Sequence, residues 1–284
     1  MIITNKHALP APLVQAITWD IQKREGFSVT DLINSPRITQ LQRRSWDYIK
    51  QDASERIWIL LGSATHYILK KGATPDGFTE ERLQMTVAGV TVRGQPDLWH
   101  ASVLTDYKVT SVWAIVFEPK GRNEWHKQLN LYNPLYAEAG FPTEKLQVCA
   151  ILRDWQKTKV GERGYPTIPI VVIDIPIWPA PQCKEYLHER VRLHTEAENL
   201  ADNDLPLCTP EDTWEKPTTY AVMKEGRQSA VRVFPEFNMA KVMLNRCDKH
   251  HYIIERPGTR VRCTQYCDVP AWCNQYKEYK CSAK

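Results

Sequence analysis

Apolar positions along the chain follow two different periods, which divide it into helices and strands. A spacing of 3.6 residues predicts helices over residues 38–51 and 54–70. A short helix capped at Ser28 precedes them and ends near Pro36. Residues 83–109 are rich in β-branched side chains and predict a β-hairpin.

The middle of the chain continues this alternation. A helix is predicted over residues 123–139, with Gly140 as its stop, and strands over residues 146–152 and 168–177. A further helix is predicted from about residue 181 to residue 200. This order of elements indicates an α/β fold, in which helices flank a mixed sheet.

The pattern changes at a polar linker, residues 201–206, beyond which long apolar runs are scarce. We therefore expect a helical extension over residues 1–27, a core over residues 28–202 and a cysteine-rich module over residues 203–284. A region with so little apolar material is expected to need a metal to stabilise it.

Composition narrows the function classes only a little. Hydrophobic residues make up 43% of the chain and charged residues 25%, which is ordinary for a globular protein. The net charge of +4 permits a nucleic acid partner without arguing for one. There is no basic and apolar leader and no apolar run of about 20 residues, so we expect a soluble, cytoplasmic protein without membrane contact.

The predicted hairpin carries the most informative side chains. Asp97 follows Gly94 and Pro96, and Asp106 and Lys108 lie on the next strand, where alternation puts both on one face. Two carboxylates and a lysine are the groups that metal-dependent hydrolysis of a phosphodiester requires. Alone, an Asp-x-Lys pair is typical of a solvated strand face, and Pro96 could simply end a strand.

Two predicted helices add chemically suitable groups. His66 follows a run of small residues that would let its helix approach a neighbour closely, although a lone histidine is more often structural. Gln128 and Tyr132 are four residues apart and share a helix face. Arg153 and Trp155, at the end of a strand, are candidates to stack on a base.

Taken in order, these motifs resemble the RecB-like branch of the PD-(D/E)XK nucleases. That branch carries a Gly-x-x-x-His helix, an aspartate after Gly-x-x, an Asp-x-Lys and a Gln-x-x-x-Tyr helix. The resemblance covers about residues 28–152 and implies a restriction-endonuclease-like mixed sheet flanked by helices. It also implies metal-dependent cleavage of DNA.

The resemblance implies a role for each of these side chains. Asp97 and Asp106 would bind Mg²⁺ or Mn²⁺, and an imidazole among the ligands makes Mn²⁺ more favourable. Lys108 would orient the attacking water or help to deprotonate it, and would offset the negative charge that develops on the phosphate. The other implied site residues are two metal ligands, His66 and the main-chain carbonyl of Tyr107, and two residues that position the strand or Lys108, Gln128 and Tyr132.

Two features depart from that family. Lys70 stands where relatives often carry an acidic residue one turn after the histidine, so that acid is missing or comes from Glu80 or Glu81. Pro134 is expected to kink the Gln-x-x-x-Tyr helix by clashing with the carbonyl of Asn130. Both leave the number of bound metals open.

Eight cysteines in a reducing compartment suggest a metal rather than disulfides. The spacing of Cys263, Cys267 and Cys273 resembles the C-terminal triplet of iron–sulfur RecB-like nucleases. Those relatives carry a fourth cysteine upstream of the histidine motif, but this chain has Ser-Pro-Arg there, at residues 35–37.

We therefore expect the fourth ligand to be Cys208, with Cys247 as the next candidate. Zinc sites favour two close pairs of cysteines, so a triplet with one distant partner suits a 4Fe–4S cluster better than Zn²⁺. Either metal is expected to stabilise the module rather than to carry out redox chemistry.

The expected function is that of a DNA exonuclease, similar to the recombination exonucleases that phages use in the host cytoplasm. DNA is the expected substrate, and a single-strand annealing protein or other recombination protein is a candidate partner. Three alternatives stay open: a non-catalytic DNA-binding scaffold derived from a nuclease, a structure-specific or restriction endonuclease, and a zinc-dependent nucleic-acid-binding module with an unrelated α/β domain. Polarity, strand preference and oligomeric state are not indicated.

Overall fold

The computed structural model describes residues 1–19, 21–23, 26–72, 74 and 76–282. These residues divide into two compact units. The first unit comprises Met1–Pro36 and Trp46–Asn199, and the second comprises Arg37–Ser45 and Leu200–Lys284. The second unit is therefore built from two separate pieces of the chain.

The secondary structure alternates between strands and helices throughout. The strands are β1 (Ile2–Thr4), β2 (Phe27–Ser28), β3 (Lys50–Asp52), β4 (Gly77–Thr79), β5 (Leu83–Val87), β6 (Val90–Gly94), β7 (Leu98–His100), β8 (Val103–Thr110), β9 (Lys145–Leu152), β10 (Ile170–Ile175), β11 (Glu215–Lys216), β12 (Thr219–Lys224), β13 (Arg232–Phe234), β14 (His251–Arg256) and β15 (Thr259–Arg260). The α-helices are α1 (Ala11–Thr18), α2 (Val29–Ile33), α3 (Pro36–Arg44), α4 (Ile57–Lys71), α5 (Val112–Phe117), α6 (Asn123–Glu138), α7 (Ala180–Glu198), α8 (Pro210–Thr213), α9 (Phe237–Leu244), α10 (Val261–Gln265) and α11 (Asn274–Ser282). Short 3-10 helices lie at Trp46–Tyr48, Ala53–Arg56 and Lys157–Lys159.

The first unit is centred on a five-stranded sheet in the order β10-β9-β8-β7-β4. β8 and β9 pair in parallel, and the other neighbours pair antiparallel. A three-stranded sheet, β2-β6-β5, and a two-stranded sheet, β1-β3, complete the unit. Helices α4 and α6 both pack against β8. The predicted mixed α/β architecture is confirmed.

Local sequence explains several of these elements. Ser28 caps α2, because its hydroxyl accepts a hydrogen bond from the amide of Asp31 and the Asp31 carboxylate accepts one from the amide of Ser28, both at 3.0 Å. The predicted stop of α6 is also confirmed, since Gly140 has a φ of +87° and its amide donates to the carbonyl of Ala137.

The hairpin predicted over residues 83–109 is present between β7 and β8, but the stretch before Asp97 belongs to a different sheet. β6 pairs with β5 and β2, whereas β7 pairs with β8 and β4 in the other sheet. Pro96 lies between β6 and β7, and a proline has no amide hydrogen to continue a ladder. The chain therefore changes sheets at the Gly-Gln-Pro-Asp motif.

The helix predicted over residues 38–51 was too long. α3 ends at Arg44, and Trp46–Tyr48 and β3 follow it. β3 pairs in parallel with β1 near the N-terminus. That long-range pairing prevails over the helical spacing of the apolar residues.

The second unit contains small sheets and short helices. β13, β12 and β14 form a three-stranded antiparallel sheet, and α9 packs against it around Val222, Phe234 and Ala240. The segment 37–45, most of α3, belongs to this unit. Among the described residues, no helix is both long enough and apolar enough to span a membrane.

Candidate active site

The strand register brings the two predicted carboxylates together. Leu98 pairs with Thr105 at the end of the β7–β8 ladder, so Asp97, one residue earlier, lies across from Asp106. The amide of Tyr107 donates to Asp97 Oδ2 at 2.7 Å and fixes the orientation of that carboxylate. Pairing between β7 and β8 therefore creates the two-carboxylate arrangement.

Lys108 connects the sheet to helix α6. Its Nζ lies 2.6 Å from Asp106 Oδ2 and donates to Gln128 Oε1 at 2.9 Å. Gln128 Nε2 in turn donates to the hydroxyl of Tyr132 at 3.1 Å, one turn further along α6. The structure thus brings Asp106, Lys108, Gln128 and Tyr132 into one chain of contacts, in which Gln128 contacts Lys108 directly.

His66 approaches the carboxylates from helix α4. Its Nδ1 lies 3.1 Å from Asp97 Oδ1, so the two oxygens of Asp97 contact His66 and Tyr107 respectively. The hydrogen bond to Asp97 raises the pKa of His66 above its usual range. The implied metal-ligand role of His66 and that of the Tyr107 carbonyl stay predictions.

Burial dominates the electrostatics of the site. It raises the pKa of Asp106 to about 6, with a contribution from the charge of Asp97, although the ammonium of Lys108 opposes the shift. Burial lowers the pKa of Lys108, but the attraction of Asp106 outweighs it and leaves that pKa above its usual range. Lys108 is therefore protonated at neutral pH, and its ammonium stabilises the ionised form of the buried Asp106.

The site opens into a cleft whose lining includes His66, Lys70, Glu80 and Asp97. Glu80 forms an ion pair with Lys70 at 3.1 Å, and its amide donates to the main-chain carbonyl of Asp97 at 3.1 Å. Its φ of +51° is unusual for a residue with a side chain. Glu80 and Glu81 were the two predicted replacements for an acidic residue at position 70. Of these two, Glu80 lines the cleft.

The cleft also contains residues that the sequence did not indicate. His100 and Thr79 line it because β4 pairs with β7, a contact between strands about twenty residues apart. No motif contains either residue, so only knowledge of the strand pairing would have identified them.

Three side chains of the site, Asp97, Asp106 and His66, are of types that bind metal ions. Among the described residues, no group of three or more His, Cys, Asp and Glu side chains stands in position to hold a metal ion. The donor chemistry at Asp97, Asp106 and His66 nevertheless suits a hard divalent cation, because the buried carboxylate of Asp106 and the partly exposed carboxylate of Asp97 lie across from each other on paired strands. The types of side chain at this site therefore suit a metal, although their positions in the described residues do not form a complete metal site.

The four cysteines predicted as cluster ligands line a single pocket within the second unit. That pocket is formed by Cys208, Cys263, Cys267 and Cys273 together with α3 and α11 residues that include Arg37. Burial raises the pKa of Cys263, and the neighbouring Cys208 and Cys273 thiols raise it further, as expected for thiols that lie close together. As with the carboxylate site, these described side chains are not spaced as metal ligands.

Arg37 is the last residue of the Ser-Pro-Arg stretch, residues 35–37, and lines the same pocket as the four cysteines. Its side chain is fully buried and donates to the carbonyls of Leu205 and Pro206 and to the side chain of Asn274. Cys208 is held close by, since its amide and carbonyl are both hydrogen-bonded to the side-chain amide of Gln275, at 2.8 and 2.9 Å.

Comparison with known proteins yields similarities to solved structures. No family profile matches the sequence, and no curated protein matches it. The structure of SSO0001 is similar with 17% identity and a TM-score of 0.44, over 64% of this chain and 84% of that one. LHK-Exo in complex with dAMP is similar with 12% identity and a TM-score of 0.34, over 66% and 93%. A phage related exonuclease from Haemophilus somnus 129PT is similar with 14% identity and a TM-score of 0.29, over 66% and 79%.

Proposed function

We propose that this protein is a metal-dependent deoxyribonuclease that hydrolyses DNA from an end. The observation that carries the proposal is the position of Lys108, 2.6 Å from the buried Asp106 and hydrogen-bonded to Gln128. A lysine held charged beside a carboxylate pair is suited to a reaction that builds negative charge on phosphate.

In this proposal each side chain has one task. Asp97 and Asp106 would hold Mg²⁺ or Mn²⁺, which polarises the phosphate and lowers the pKa of a water when it is bound. Lys108 remains protonated, so it orients the attacking water and stabilises charge rather than acting as the base. Gln128 keeps the Lys108 ammonium in place, and Tyr132 keeps Gln128 in place.

Glu80 is proposed to supply the acid that Lys70 displaces from helix α4. It lines the same cleft as His66 and Asp97 and is joined to the backbone of Asp97. Its ion pair with Lys70 holds it at the edge of the site.

The test is digestion of end-labelled linear DNA and of circular DNA, single- and double-stranded, with Mg²⁺ or Mn²⁺. We expect linear DNA to be degraded and circular DNA to survive. Asp106→Asn and Lys108→Ala should each lower the rate by about 100- to 1000-fold, because each removes a charge that the transition state needs.

Asp174→Asn and Lys145→Ala are the matched controls. They remove the same groups from an exposed ion pair of 2.8 Å on β9 and β10, and both should retain full activity. Cleavage of circular DNA would favour the endonuclease alternative. Metal-independent binding without any cleavage by the wild type would favour the non-catalytic scaffold and contradict the proposal.

We also propose that the pocket of four cysteines binds a 4Fe–4S cluster, with structural Zn²⁺ as the alternative. Cys208, Cys263, Cys267 and Cys273 supply four thiolates from two segments of the second unit. The choice of Cys208 as the fourth ligand, rather than Cys247, is supported by the position of Cys208 in the same pocket as the triplet.

A further inference from the structure

A tryptophan and an arginine stack on each other at the surface of the first unit. Trp58 lies in the first turn of α4 and is 54% exposed. The guanidinium carbon of Arg153, just after β9, lies 3.9 Å from the centre of its ring. This distance is typical of a cation–π contact, which holds the guanidinium flat against the indole.

The stack lies beside the candidate active site. Trp58 and His66 are on the same helix, about two turns apart and on adjoining faces. The amide of Arg153 donates to the carbonyl of Thr110 at 3.0 Å, and Thr110 is two residues beyond Lys108 on β8. Arg153 is therefore joined to the strand that carries Lys108, at the end of the neighbouring strand and three residues beyond the register partner of Lys108, Ala150.

The surface between them is open. Gly62 lies between Trp58 and His66 on α4, and a Cβ atom at Gly62 would have no atom within 4 Å. Gly62 therefore presents no side chain that would obstruct a strand at this point of the helix.

The guanidinium of Arg153 has no competing polar partner. Among the residues that the structure describes, it makes neither a hydrogen bond nor an ion pair. Its neighbour Asp154 is occupied elsewhere, because it accepts hydrogen bonds from the Ser111 hydroxyl and the Val112 amide, both at 2.6 Å, at the start of α5. The N–H groups of Arg153 are thus available for a phosphate, which guanidinium binds in a bidentate manner.

A second aromatic pair continues the same edge of the sheet. Trp113 and Phe117 on α5, which directly follows β8, are stacked with ring centres 5.7 Å apart and are 42% and 75% exposed. Lys159 lies 5.7 Å from the ring of Trp113. The stacking candidate from the sequence, Trp155, is instead only partly exposed and donates to the carbonyl of Pro166 at 2.9 Å.

We propose that this aromatic–cationic surface, formed by Trp58, Arg153, Trp113, Phe117 and Lys159, binds a single strand of DNA next to the phosphate that is cleaved. Bases of a single strand can stack on the exposed rings, whereas paired bases in a duplex cannot. Arg153 and Lys159 match the charge of the adjacent phosphates. The inference rests on the proposed nuclease function and specifies the form in which the substrate enters.

The test measures affinity for fluorescein-labelled oligothymidylate by fluorescence anisotropy, with Ca²⁺ in place of Mg²⁺ to limit cleavage. Trp58→Ala should raise the Kd about tenfold or more, the loss expected for one base-stacking contact. Arg153→Gln should also raise it, and should lower the slope of log K against log salt by about 0.7, the value for one phosphate contact on a single strand.

Tyr67→Ala is the matched control. Tyr67 is also exposed, also carries a cation over its ring (Lys71, 4.8 Å away), and lies on the same helix as Trp58. Tyr67 is nine positions after Trp58, which is about two and a half turns, so Tyr67 points away from Trp58 and its loss should leave the Kd unchanged. Trp58→Phe keeps a ring and should restore part of the affinity, which separates stacking from a folding defect.

Equal Kd values for wild type, Trp58→Ala and Arg153→Gln, with Mg²⁺-dependent cleavage intact, would overturn the inference and leave the proposed function standing. A second outcome would also overturn it: a lower sedimentation coefficient of Trp58→Ala with an unchanged affinity for DNA. The surface would then be an interface between copies of this protein. Failure of the wild type to bind or cleave any DNA would instead remove the proposed function as well.

Discussion

At the scale of single residues, Gly94 has a packing role that its place in the Gly-Gln-Pro-Asp motif does not reveal. A Cβ atom there would lie 2.8 Å from Tyr132 and 2.9 Å from Leu135. Tyr132 is the last member of the contact chain that begins at Lys108. The glycine therefore lets α6 approach β6 closely enough for Tyr132 to contact Gln128, which contacts Lys108.

Gly94→Ala should consequently lower the free energy of unfolding by about 1–3 kcal/mol, the usual cost of overpacking a buried site. It should also slow cleavage, because Tyr132 must shift. The control is Gly62→Ala, where nothing lies within 4 Å and helix propensity predicts a gain of up to about 1 kcal/mol. Urea unfolding of both variants measures the effect, and equal stabilities would contradict this account of Gly94.

Individual site residues were accessible from the sequence, but their contacts were not. Asp97, Asp106 and Lys108 stand in a recognisable order, and the face shared by Asp106 and Lys108 follows from strand alternation. That Gln128 contacts Lys108 was one of two predicted alternatives, and the hydrogen bond of 2.9 Å favours it. The small residues before His66 were expected to allow close helix packing, which Gly62 does not provide.

At the scale of elements, helix α6 continues through Pro134 with the help of a cysteine. Pro134 has no amide hydrogen to donate to the carbonyl of Asn130. The thiol of Cys183, on α7, lies 3.0 Å from that oxygen and donates to it instead. The Asn130 side chain is used as well, since it bonds the carbonyl of Pro176 and the amide of Trp178.

Cys183→Ala should leave the Asn130 carbonyl without a donor in a buried position. We expect the free energy of unfolding to fall by about 1–3 kcal/mol, the cost of an unsatisfied buried polar group. Cys183→Ser keeps a donor and should restore much of the loss, whereas Cys281→Ala changes an exposed cysteine and should have no effect. Equal melting temperatures for the alanine and serine variants at position 183 would argue against the thiol as donor.

The existence of most elements in the first unit followed from local patterns, and their pairing did not. Strands β9 and β10 and helices α4, α6 and α7 match the predicted ranges within a few residues. The change of sheet at Pro96 depends on the pairing of β4 with β7, which no local pattern encodes. The local spacing of apolar residues predicts whether a segment is a helix or a strand. The strand it pairs with depends on residues that are distant in the sequence.

At the scale of the whole molecule, the second unit has a small apolar core and a pocket with four thiols. Among the described residues, one buried apolar cluster outside that pocket centres on three residues, Val222, Phe234 and Ala240. A unit of this kind gains much of its stability from a metal when it binds one. The sequence indicated the need for a metal through the same scarcity of apolar runs.

Anaerobically purified protein should therefore be brown and contain about four irons per chain, as a 4Fe–4S cluster requires. Cys208→Ser should lose the colour and lower the melting temperature by more than about 5 °C, because a cluster ligand is missing. Cys247→Ser is the control, because Cys247 is the other candidate for the fourth ligand. This variant should keep the metal. Colourless protein with one zinc would identify the alternative metal, and loss of metal in Cys247→Ser alone would exclude Cys208 as the fourth ligand.

The two-piece construction of the second unit has a consequence for how the protein is made. Helix α3 leaves the ribosome roughly 150 residues before the remainder of its unit, which begins at Leu200. At a typical rate of synthesis, the buried positions of α3, among them Arg37, Ile38 and Leu41, wait roughly 10 to 30 s for their partners. The first unit can fold in that interval, before the partners of α3 within the second unit have been made. A nascent chain stalled before Leu200 would thus leave the apolar positions of α3 without the contacts that bury them in the folded unit.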